Sequence, residues 1–264
     1  MDRHLRQHGF SLTETLLAVA TLAIGMTFIA GTFLTGIYFS TVSTERTIAA
    51  VVADEAFAKV LVYGLDPNHA NLKTDEFVPY EQVVTVPVDE FRYPSTGSVG
   101  ASQYSWAMLC RRMGEDSRLV QCAVFISRQT GADTTYWNRQ SGGGWPELEP
   151  SDLPRPLRVT ITREATPQNP NEVLLKDAVP SDMTEELAFV NDGATLMDDK
   201  TGAIYRVLER NADQPDKIEL DRPWGDDAAD SLADEWAWVV PPAVSGGRNP
   251  VVAVYQKVLR LSEE

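Results

Sequence analysis

The sequence predicts an α+β protein in which a long N-terminal helix packs on an antiparallel sheet and a second β-rich module follows. Three observations lead to this fold class. No charged residue occurs between Glu14 and Glu45. Two strand-like, mostly apolar segments on either side of a short polar turn indicate a β-hairpin in the middle of the chain. The last third consists of short strand-like segments separated by turn residues, and the 264-residue length allows more than one domain.

The N-terminal segment is apolar enough to span a membrane. Residues 16–39 contain only apolar side chains, threonines and glycines, and as a helix they would extend roughly 36 Å, enough to cross a bilayer. Arg3 and Arg6 precede this segment and are expected to hold the N-terminus in the cytoplasm. A secretory signal peptide would have a shorter apolar region with its cleavage site after it. A plain signal anchor fits the hydrophobicity but leaves the residues at the junction unexplained.

That junction, residues 9–14 (GFSLTE), resembles the signature of type IV prepilins. In this family a membrane peptidase cuts after the glycine and methylates the new N-terminal amine. The resemblance implies that residues 1–9 are a leader ending at Gly9, that Phe10 becomes the N-methylated first residue, and that Glu14 is the buried acid used in assembly. Residues 18–25 are most similar to minor pilins and minor pseudopilins. Gly31 stands where many major pilins have a proline, which argues against a major, fibre-forming subunit.

The physical chemistry of the junction fits this resemblance. A glycine offers no side chain to obstruct an extended backbone in a protease cleft. An ionised Glu14 at the start of an apolar span is costly unless it is paired. Cleavage would create an amine at Phe10, one helical turn away, and that amine or a neighbouring subunit's could neutralise the acid. The alternative is a glutamate that extends to the lipid headgroups.

The helix is expected to continue beyond the membrane to residue 64. Residues 45–63 are amphipathic, with an apolar stripe that could pack on a sheet. Gly64 is suited to the position that follows a helix C-terminus, and Pro67 prevents continuation. The sequence therefore predicts one helix over residues 10–64 that crosses the membrane at about residues 16–39.

Residues 104–110 and 119–126 are the predicted hairpin strands. A turn centred on residue 116 aligns three cross-strand pairs on one face, which is expected to lie on the long helix. These pairs are Cys110–Cys122, Met108–Val124 and Trp106–Ile126. The cysteines could form a disulfide if theirs is a close, non-hydrogen-bonded pair, and export to an oxidising compartment favours the bond. Otherwise they would pack as two small apolar thiols.

The rest of the chain is divided by its turn segments. A strand at residues 157–162 is expected to complete a pilin-like head at residues 65–165, which also contains a strand-like piece at 82–88. Residues 171–264 are expected to form a β-rich module, a small barrel or sandwich with a strand at 187–190 among others. The last predicted strand, 251–261, could instead return to the head sheet, which would make the module an insertion. The sequence leaves this choice open.

Charge and side-chain chemistry exclude several functions. The formal charge of −15 argues against nucleic-acid binding. The three histidines and two cysteines form no catalytic constellation or zinc-site spacing, so neither an enzyme nor a bound cofactor is predicted. Asp192, Asp198 and Asp199 are candidate calcium ligands, but an Asp-containing turn before Gly202 is good hairpin chemistry without a metal. We therefore predict no metal site.

The predicted function is structural. The resemblance implies a minor subunit of a type IV pilus or type II secretion pseudopilus, inserted in the inner membrane with its C-terminal domain on the extracytoplasmic side. Its expected partners are prepilin peptidase, other pilins or pseudopilins in a filament, the inner-membrane assembly platform and the lipid bilayer. The alternative is a membrane-anchored binding module whose C-terminal β-domain recognises a secreted substrate or surface, with Trp224, Trp236 and Trp238 as candidate contact residues.

Overall fold

The computed structural model describes residues 11–95, 102–114, 118–129, 131, 134–139, 148–163, 169–176, 186–225 and 234–261. Their regular elements are a helix, α1 (Leu12–Tyr63), three short 3-10 helices and thirteen strands. The strands are β1 (Val78–Pro79), β2 (Arg92–Tyr93), β3 (Tyr104–Arg112), β4 (Leu119–Arg128), β5 (Tyr136–Arg139), β6 (Leu148–Ser151), β7 (Leu157–Thr162), β8 (Glu172–Lys176), β9 (Thr195–Asp198), β10 (Ile204–Arg210), β11 (Lys217–Leu220), β12 (Glu235–Val239) and β13 (Val251–Arg260). The long N-terminal helix and the antiparallel β-rich region confirm the α+β fold class.

The chain divides into two compact units, one ending at residue 48 and the other beginning at residue 49. The first unit contains the apolar part of α1. The second contains the last turns of α1 and all the strands. Gly9, Phe10 and the centre of the predicted hairpin turn, residues 115–117, lie outside the described residues.

The end of α1 lies where the sequence predicts it. The helix ends at Tyr63, and Gly64 follows with φ +79° while its N–H donates to the Val60 carbonyl at 3.0 Å. A positive φ costs glycine little, because it has no Cβ. The described helix begins at Leu12.

The last four turns of α1 bury one face. The buried side chains recur at helical spacing and are Ala49, Val52, Ala53, Ala56, Phe57 and Val60. Lys59 donates to the Glu90 carbonyl at 2.6 Å and lies 5.8 Å from the ring of Trp106 on β3. Lys257 on β13 lies 5.0 Å from the ring of Phe57. These contacts place the buried face of the helix on the first sheet, as the amphipathic pattern predicts.

The first sheet has the order β1-β3-β4-β13, and β2 also pairs with β3. The predicted hairpin and its register are confirmed, because Cys110 lies opposite Cys122 and the two next pairs on that face follow as expected. The final strand, β13, pairs with β4 from Val251 to Arg260, with one register shift between Val251 and Ala253. Of the two placements that the sequence leaves open for it, the structure has the return to the first sheet.

Strands β7 to β12 form a closed barrel in the order β10-β11-β8-β7-β12-β9. In sequence, the barrel strands lie between β4 and β13, which are neighbours in the first sheet. The barrel is therefore an insertion in the connection between these two strands. The strand predicted at 157–162 exists as β7, but its predicted place in the head sheet is wrong, since it pairs with β8 and β12. The physical reason is that Leu157, Val159 and Ile161 belong to the barrel's own apolar core.

The first sheet is covered on both faces. The face opposite α1 contributes Leu109, Ala123 and Phe125 to an apolar cluster that also contains Met197 and Trp238 from the barrel. Seven consecutive residues of β3 and eight of β4 are therefore buried. The sheet and the barrel share this cluster as a second core.

Three local details differ from the sequence prediction. Residues 82–88 form no strand, because Pro79 and Pro87 precede two 3-10 helices at Tyr80–Gln82 and Val88–Phe91. The predicted strand at 187–190 is a 3-10 helix, Glu186–Phe189. Strands β5 and β6 form an additional two-stranded sheet that the sequence analysis did not predict.

Candidate functional site

The main candidate site is the apolar part of α1, residues 12–39. It is long and apolar enough to cross a membrane by length and composition, and its most apolar window has no buried residue. The exposed large side chains of this segment are Leu12, Leu16, Leu17, Val19, Leu22, Ile24, Met26, Phe28, Ile29, Phe33, Leu34, Ile37, Tyr38 and Phe39. At 3.6 residues per turn these positions lie on every face of the helix. An all-round apolar helix must be covered by lipid or by other helices.

Threonine hydroxyls within this helix are satisfied by the helix itself. Thr21 and Thr27 donate to carbonyls four residues back at 3.0 and 2.9 Å, and Thr35 and Thr41 do the same at 2.9 and 3.0 Å. Such bonds remove the need for water or a partner at each hydroxyl. The threonines that interrupt the apolar sequence are therefore compatible with an apolar environment.

Glu14 and Ser11 form a reciprocal capping pair at the helix N-terminus. The Ser11 N–H donates to Glu14 Oε2 at 3.0 Å, and the Glu14 N–H donates to Ser11 Oγ at 3.2 Å. This capping box satisfies two backbone donors that the first helical turn leaves open. The Ser-x-x-Glu spacing at residues 11–14 is the sequence signal of this cap. The capping box thus gives the carboxylate of Glu14 a defined position at the helix N-terminus.

Cys110 and Cys122 are fully buried free thiols whose Sγ atoms lie 3.5 Å apart. Two backbone hydrogen bonds show which cross-strand pairs are hydrogen-bonded: Met113 N–H donates to the Leu119 carbonyl, and Gln129 N–H donates to the Gln103 carbonyl. Hydrogen-bonded and non-hydrogen-bonded pairs alternate along an antiparallel ladder, so the pair Cys110–Cys122 is non-hydrogen-bonded, which is the closer kind. A close, non-hydrogen-bonded pair is the geometry that a disulfide between these cysteines requires. The disulfide itself stays a prediction.

The carboxylates of the three candidate calcium ligands accept hydrogen bonds or form an ion pair within the protein. Asp192 Oδ1 accepts the Arg210 N–H at 2.8 Å, and Asp198 accepts backbone N–H groups of its own turn, from Lys200 at 3.0 Å and Thr201 at 3.2 Å. Among the described residues no group of three His, Cys, Asp or Glu side chains could hold a metal ion. These contacts match the turn interpretation of Asp198.

Asp199 belongs to a buried network between the barrel and the first sheet. Its Oδ1 accepts the Phe77 N–H at 2.9 Å and Trp238 Nε1–H at 2.6 Å, and Oδ2 pairs with Arg158 at 3.1 Å. Burial raises the pKa of Asp199, while Arg158 and the two N–H donors partly oppose that rise. The network joins β12 and β7 of the barrel to the segment before β1.

Two of the three tryptophans proposed as contact residues are buried. Trp224 packs on Tyr205 with ring centroids 4.5 Å apart and donates to Glu235 at 2.6 Å, and Trp238 lies in the network above. Trp236 is half-buried. Buried rings cannot contact a partner, so this observation does not favour a binding surface built on these residues.

An open depression of about 660 Å³ lies between the end of the barrel and the start of β13, with Asp192, Arg210 and Asn249 in its lining. Arg210 donates to the Pro215 and Val190 carbonyls, and Asn249 bonds Val240 and Val251. These side chains are used within the fold and do not define a ligand.

Comparisons with protein-family models, with curated proteins and with solved structures find no match for this chain. The class of protein is therefore defined by the fold and the site alone. It is a protein with a long N-terminal helix, apolar enough to cross a membrane, and a β-rich region containing an antiparallel sheet and a closed six-stranded barrel.

Proposed function

We propose that this chain is a minor pilin or minor pseudopilin, a structural subunit of a type IV pilus or a type II secretion pseudopilus. The observation that supports this most strongly is the combination of an all-round apolar helix with one carboxylate, Glu14, at its beginning. In this proposal the subunit is inserted in the inner membrane, and prepilin peptidase cleaves it between Gly9 and Phe10 and methylates Phe10. It then joins other subunits through α1, with its C-terminal region on the extracytoplasmic side.

The energetics require a cover for the apolar helix. More than a dozen large apolar side chains are exposed there, and burying each of them stabilises the protein by roughly 1.5–3 kcal/mol. The total, roughly 20 kcal/mol or more, exceeds the net stability of a typical domain, which is roughly 5–15 kcal/mol. Leaving this segment in water is thus unfavourable. A bilayer covers it before assembly, and neighbouring helices cover it in a filament.

Glu14 supplies the specific part of the assembly. A bilayer or a helix bundle accepts an apolar side chain at almost any height, so hydrophobic burial alone does not fix the axial position of one helix against another. An ionised carboxylate in the same environment is stable only beside a cation. The amine of Phe10, from the same subunit or its neighbour, would be that cation, and the pairing would select one register.

The Ser11–Glu14 capping box allows the charge of Glu14 to be tested apart from its role at the helix end. Glu14→Gln retains an oxygen that can accept the Ser11 N–H but removes the charge. Ser11→Ala removes the hydroxyl acceptor but leaves the carboxylate. We expect Glu14→Gln and Glu14→Ala to insert in the membrane normally and to be lost from sheared filaments, whereas Ser11→Ala should assemble.

The measurement is immunoblotting of membrane and filament fractions from cells that express each variant at equal levels. Normal filament incorporation of Glu14→Gln would contradict the proposed pairing. Loss of incorporation in all three variants, Ser11→Ala included, would assign the effect to helix capping instead.

A further inference from the structure

In the part of the chain that the structure describes, strand β13 is an open edge of the first sheet. The opposite edge, formed by β3, is covered by the short strands β1 and β2. Among the described residues β13 pairs only with β4. A strand of this length, Val251–Arg260, leaves a row of backbone donors and acceptors on its outer side. Proteins usually shorten, cover or twist such an edge, because it can pair with another chain.

The hydrogen-bond pattern between β13 and β4 shows which backbone groups of β13 point away from β4. The Leu261 N–H donates to the Arg118 carbonyl at 2.8 Å, next to the pair Arg260–Leu119. Because antiparallel pairs alternate, residues 253, 255, 257 and 259 bond to β4. The residues whose backbone N–H and C=O groups point away from β4 are therefore Val254, Gln256, Val258 and Arg260.

The side chains of β13 are incompletely covered. Residues 251–255 are all apolar and all half-buried, whereas the corresponding apolar residues of β4 are fully buried. Val258, further along, is half-exposed. One more strand beside β13 would complete the burial of these residues in the way that β13 completes it for β4.

The charge of this sheet differs from that of the chain. Strands β3, β4 and β13 contain no acidic residue, although the whole chain has a formal charge of −15. Their basic residues are Arg111, Arg112, Arg128, Lys257 and Arg260. Lys257 and Arg260 are exposed on the open strand itself. Like charges placed opposite each other on adjacent strands are destabilising, so these two cations disfavour a second copy of β13 and favour an acidic strand.

We propose that β13 binds an extended acidic segment of another polypeptide as an additional strand of the first sheet. Main-chain bonds to Val254, Gln256, Val258 and Arg260 supply the affinity, and the basic end of the strand selects acidic side chains. The proposal rests on residues of the β-rich unit alone and does not depend on the function proposed for α1.

A defined peptide pair tests the proposal on the full chain in detergent micelles. The acidic probe is the fluorescein-labelled peptide Glu-Thr-Val-Glu-Val-Thr-Val-Thr, whose glutamates would lie opposite Arg260 and Lys257 in an antiparallel register. The control probe has lysine in place of both glutamates. Fluorescence anisotropy should show the acidic peptide binding at least about tenfold more tightly than the lysine peptide.

Two sets of variants separate the backbone and charge contributions. Val258→Pro removes an outward N–H that β4 does not use and should weaken acidic-peptide binding at least about tenfold, whereas Val258→Thr keeps the N–H and should bind like the parent chain. The double variant Lys257→Glu/Arg260→Glu should prefer the lysine peptide. If Val258→Pro fails to fold, the change of peptide preference in the Lys257→Glu/Arg260→Glu variant decides whether β13 binds the acidic strand.

The proposal is overturned if neither peptide binds, or if the acidic peptide binds equally well to the charge-reversed chain. Concentration-dependent self-association of the parent chain that Val258→Pro abolishes would also overturn it, because β13 would then pair with a second copy.

Discussion

Oxidation of Cys110 and Cys122 to a disulfide should raise the thermal stability of the β-rich unit. The two residues are directly opposite on β3 and β4, and their Sγ atoms lie 3.5 Å apart, within hydrogen-bond distance of each other, without a disulfide bond. Burial raises the pKa of the Cys110 thiol, which keeps it neutral and slow to react in the folded chain. The bond should therefore form during folding in an oxidising compartment and persist afterwards.

The magnitude follows from the loop that the bond would close. The cysteines are twelve positions apart in sequence, and closing a loop of about that length stabilises a fold by roughly 3 kcal/mol through the entropy of the unfolded chain. For a unit of about 200 residues each kcal/mol corresponds to about 2–4 °C in Tm. The oxidised chain should thus melt roughly 6–12 °C above the reduced chain.

The assay is thermal unfolding by circular dichroism in detergent, with and without dithiothreitol, on chain purified from the membrane. Intact mass should show the oxidised form two hydrogens lighter than the reduced form. The control is the Cys110→Ala/Cys122→Ala variant, whose Tm should not respond to reductant. An extracytoplasmic chain with two titratable thiols, or equal Tm values with and without reductant, would refute the reasoning.

Three further predictions concern packing and buried charge. Phe57→Ala should lower the free energy of unfolding by about 3–5 kcal/mol, because Phe57 is only 7% exposed. Leu61→Ala, at a residue of the same helix that is 70% exposed, should cost less than about 0.5 kcal/mol. Gly202→Ala should cost more than Gly246→Ala: both have positive φ, but only a Cβ at position 202 would crowd its surroundings, at 2.9 Å from Gln121 Nε2 on β4 and 3.1 Å from the ring of Phe77. The amide end of Gln121 can move away, so the fully buried ring of Phe77 sets the extra cost, about 1 kcal/mol. Asp199→Ala should cost about 3–5 kcal/mol because it breaks a buried ion pair, and Asp199→Asn should cost less. Urea unfolding monitored by tryptophan fluorescence measures all six variants.

Each comparison has an outcome that contradicts it. Equal losses for the two helix variants would mean that the buried face of α1 does not pack on the sheet. Equal losses for the two glycine variants would mean that Gly202 does not lie against Gln121 and Phe77. An Asp199→Ala variant as stable as the parent would show that the network contributes nothing to stability.

The raised pKa of Asp199 leads us to expect that the stability of the protein depends on pH. Burial raises the pKa of Asp199 above its ordinary value of 3.8, so ionising this carboxyl costs more in the folded state than in the unfolded chain. Its contribution to stability is complete below the unfolded pKa and is lost as pH rises through the folded pKa. The stability of the parent chain relative to Asp199→Asn should therefore fall as pH rises from about 4. A constant or increasing difference would contradict the direction of the shift.

The sequence predicts the parts of the fold that depend on local pattern. The alternation of Trp106, Met108 and Cys110 with Val124 and Ile126 opposite them determined the hairpin register, and the glycine at position 64 marked the helix end. These features follow from periodicity and backbone freedom, which involve neighbouring residues only.

The remainder of the fold depends on contacts between distant segments. Nothing in residues 157–162 distinguishes a strand of the head sheet from a strand of a barrel, since both need an inward apolar face. The second covered face of the first sheet had a sequence signal, because the residues between the hairpin's alternating positions, such as Leu109 and Phe125, are also apolar. Near-continuous apolar strands are typical of sheets buried on both sides.

For the candidate site, the sequence identified the apolar span and Glu14, since both depend on composition. The Ser-x-x-Glu spacing at residues 11–14 is typical of a capping box, so this cap also had a local sequence signal. Asp199 was considered as a metal ligand because its sequence neighbours are acidic. Its actual partner, Arg158, comes from another strand of the barrel, and sequence spacing gives no indication of that contact.

The most direct test of the proposed function is the chemical identity of the mature N-terminus. The chain should be purified from membranes of cells that contain prepilin peptidase, digested, and its N-terminal peptide sequenced by tandem mass spectrometry. This peptide should begin at an N-methylated Phe10. A functioning chain that retains residues 1–9 would contradict this prediction.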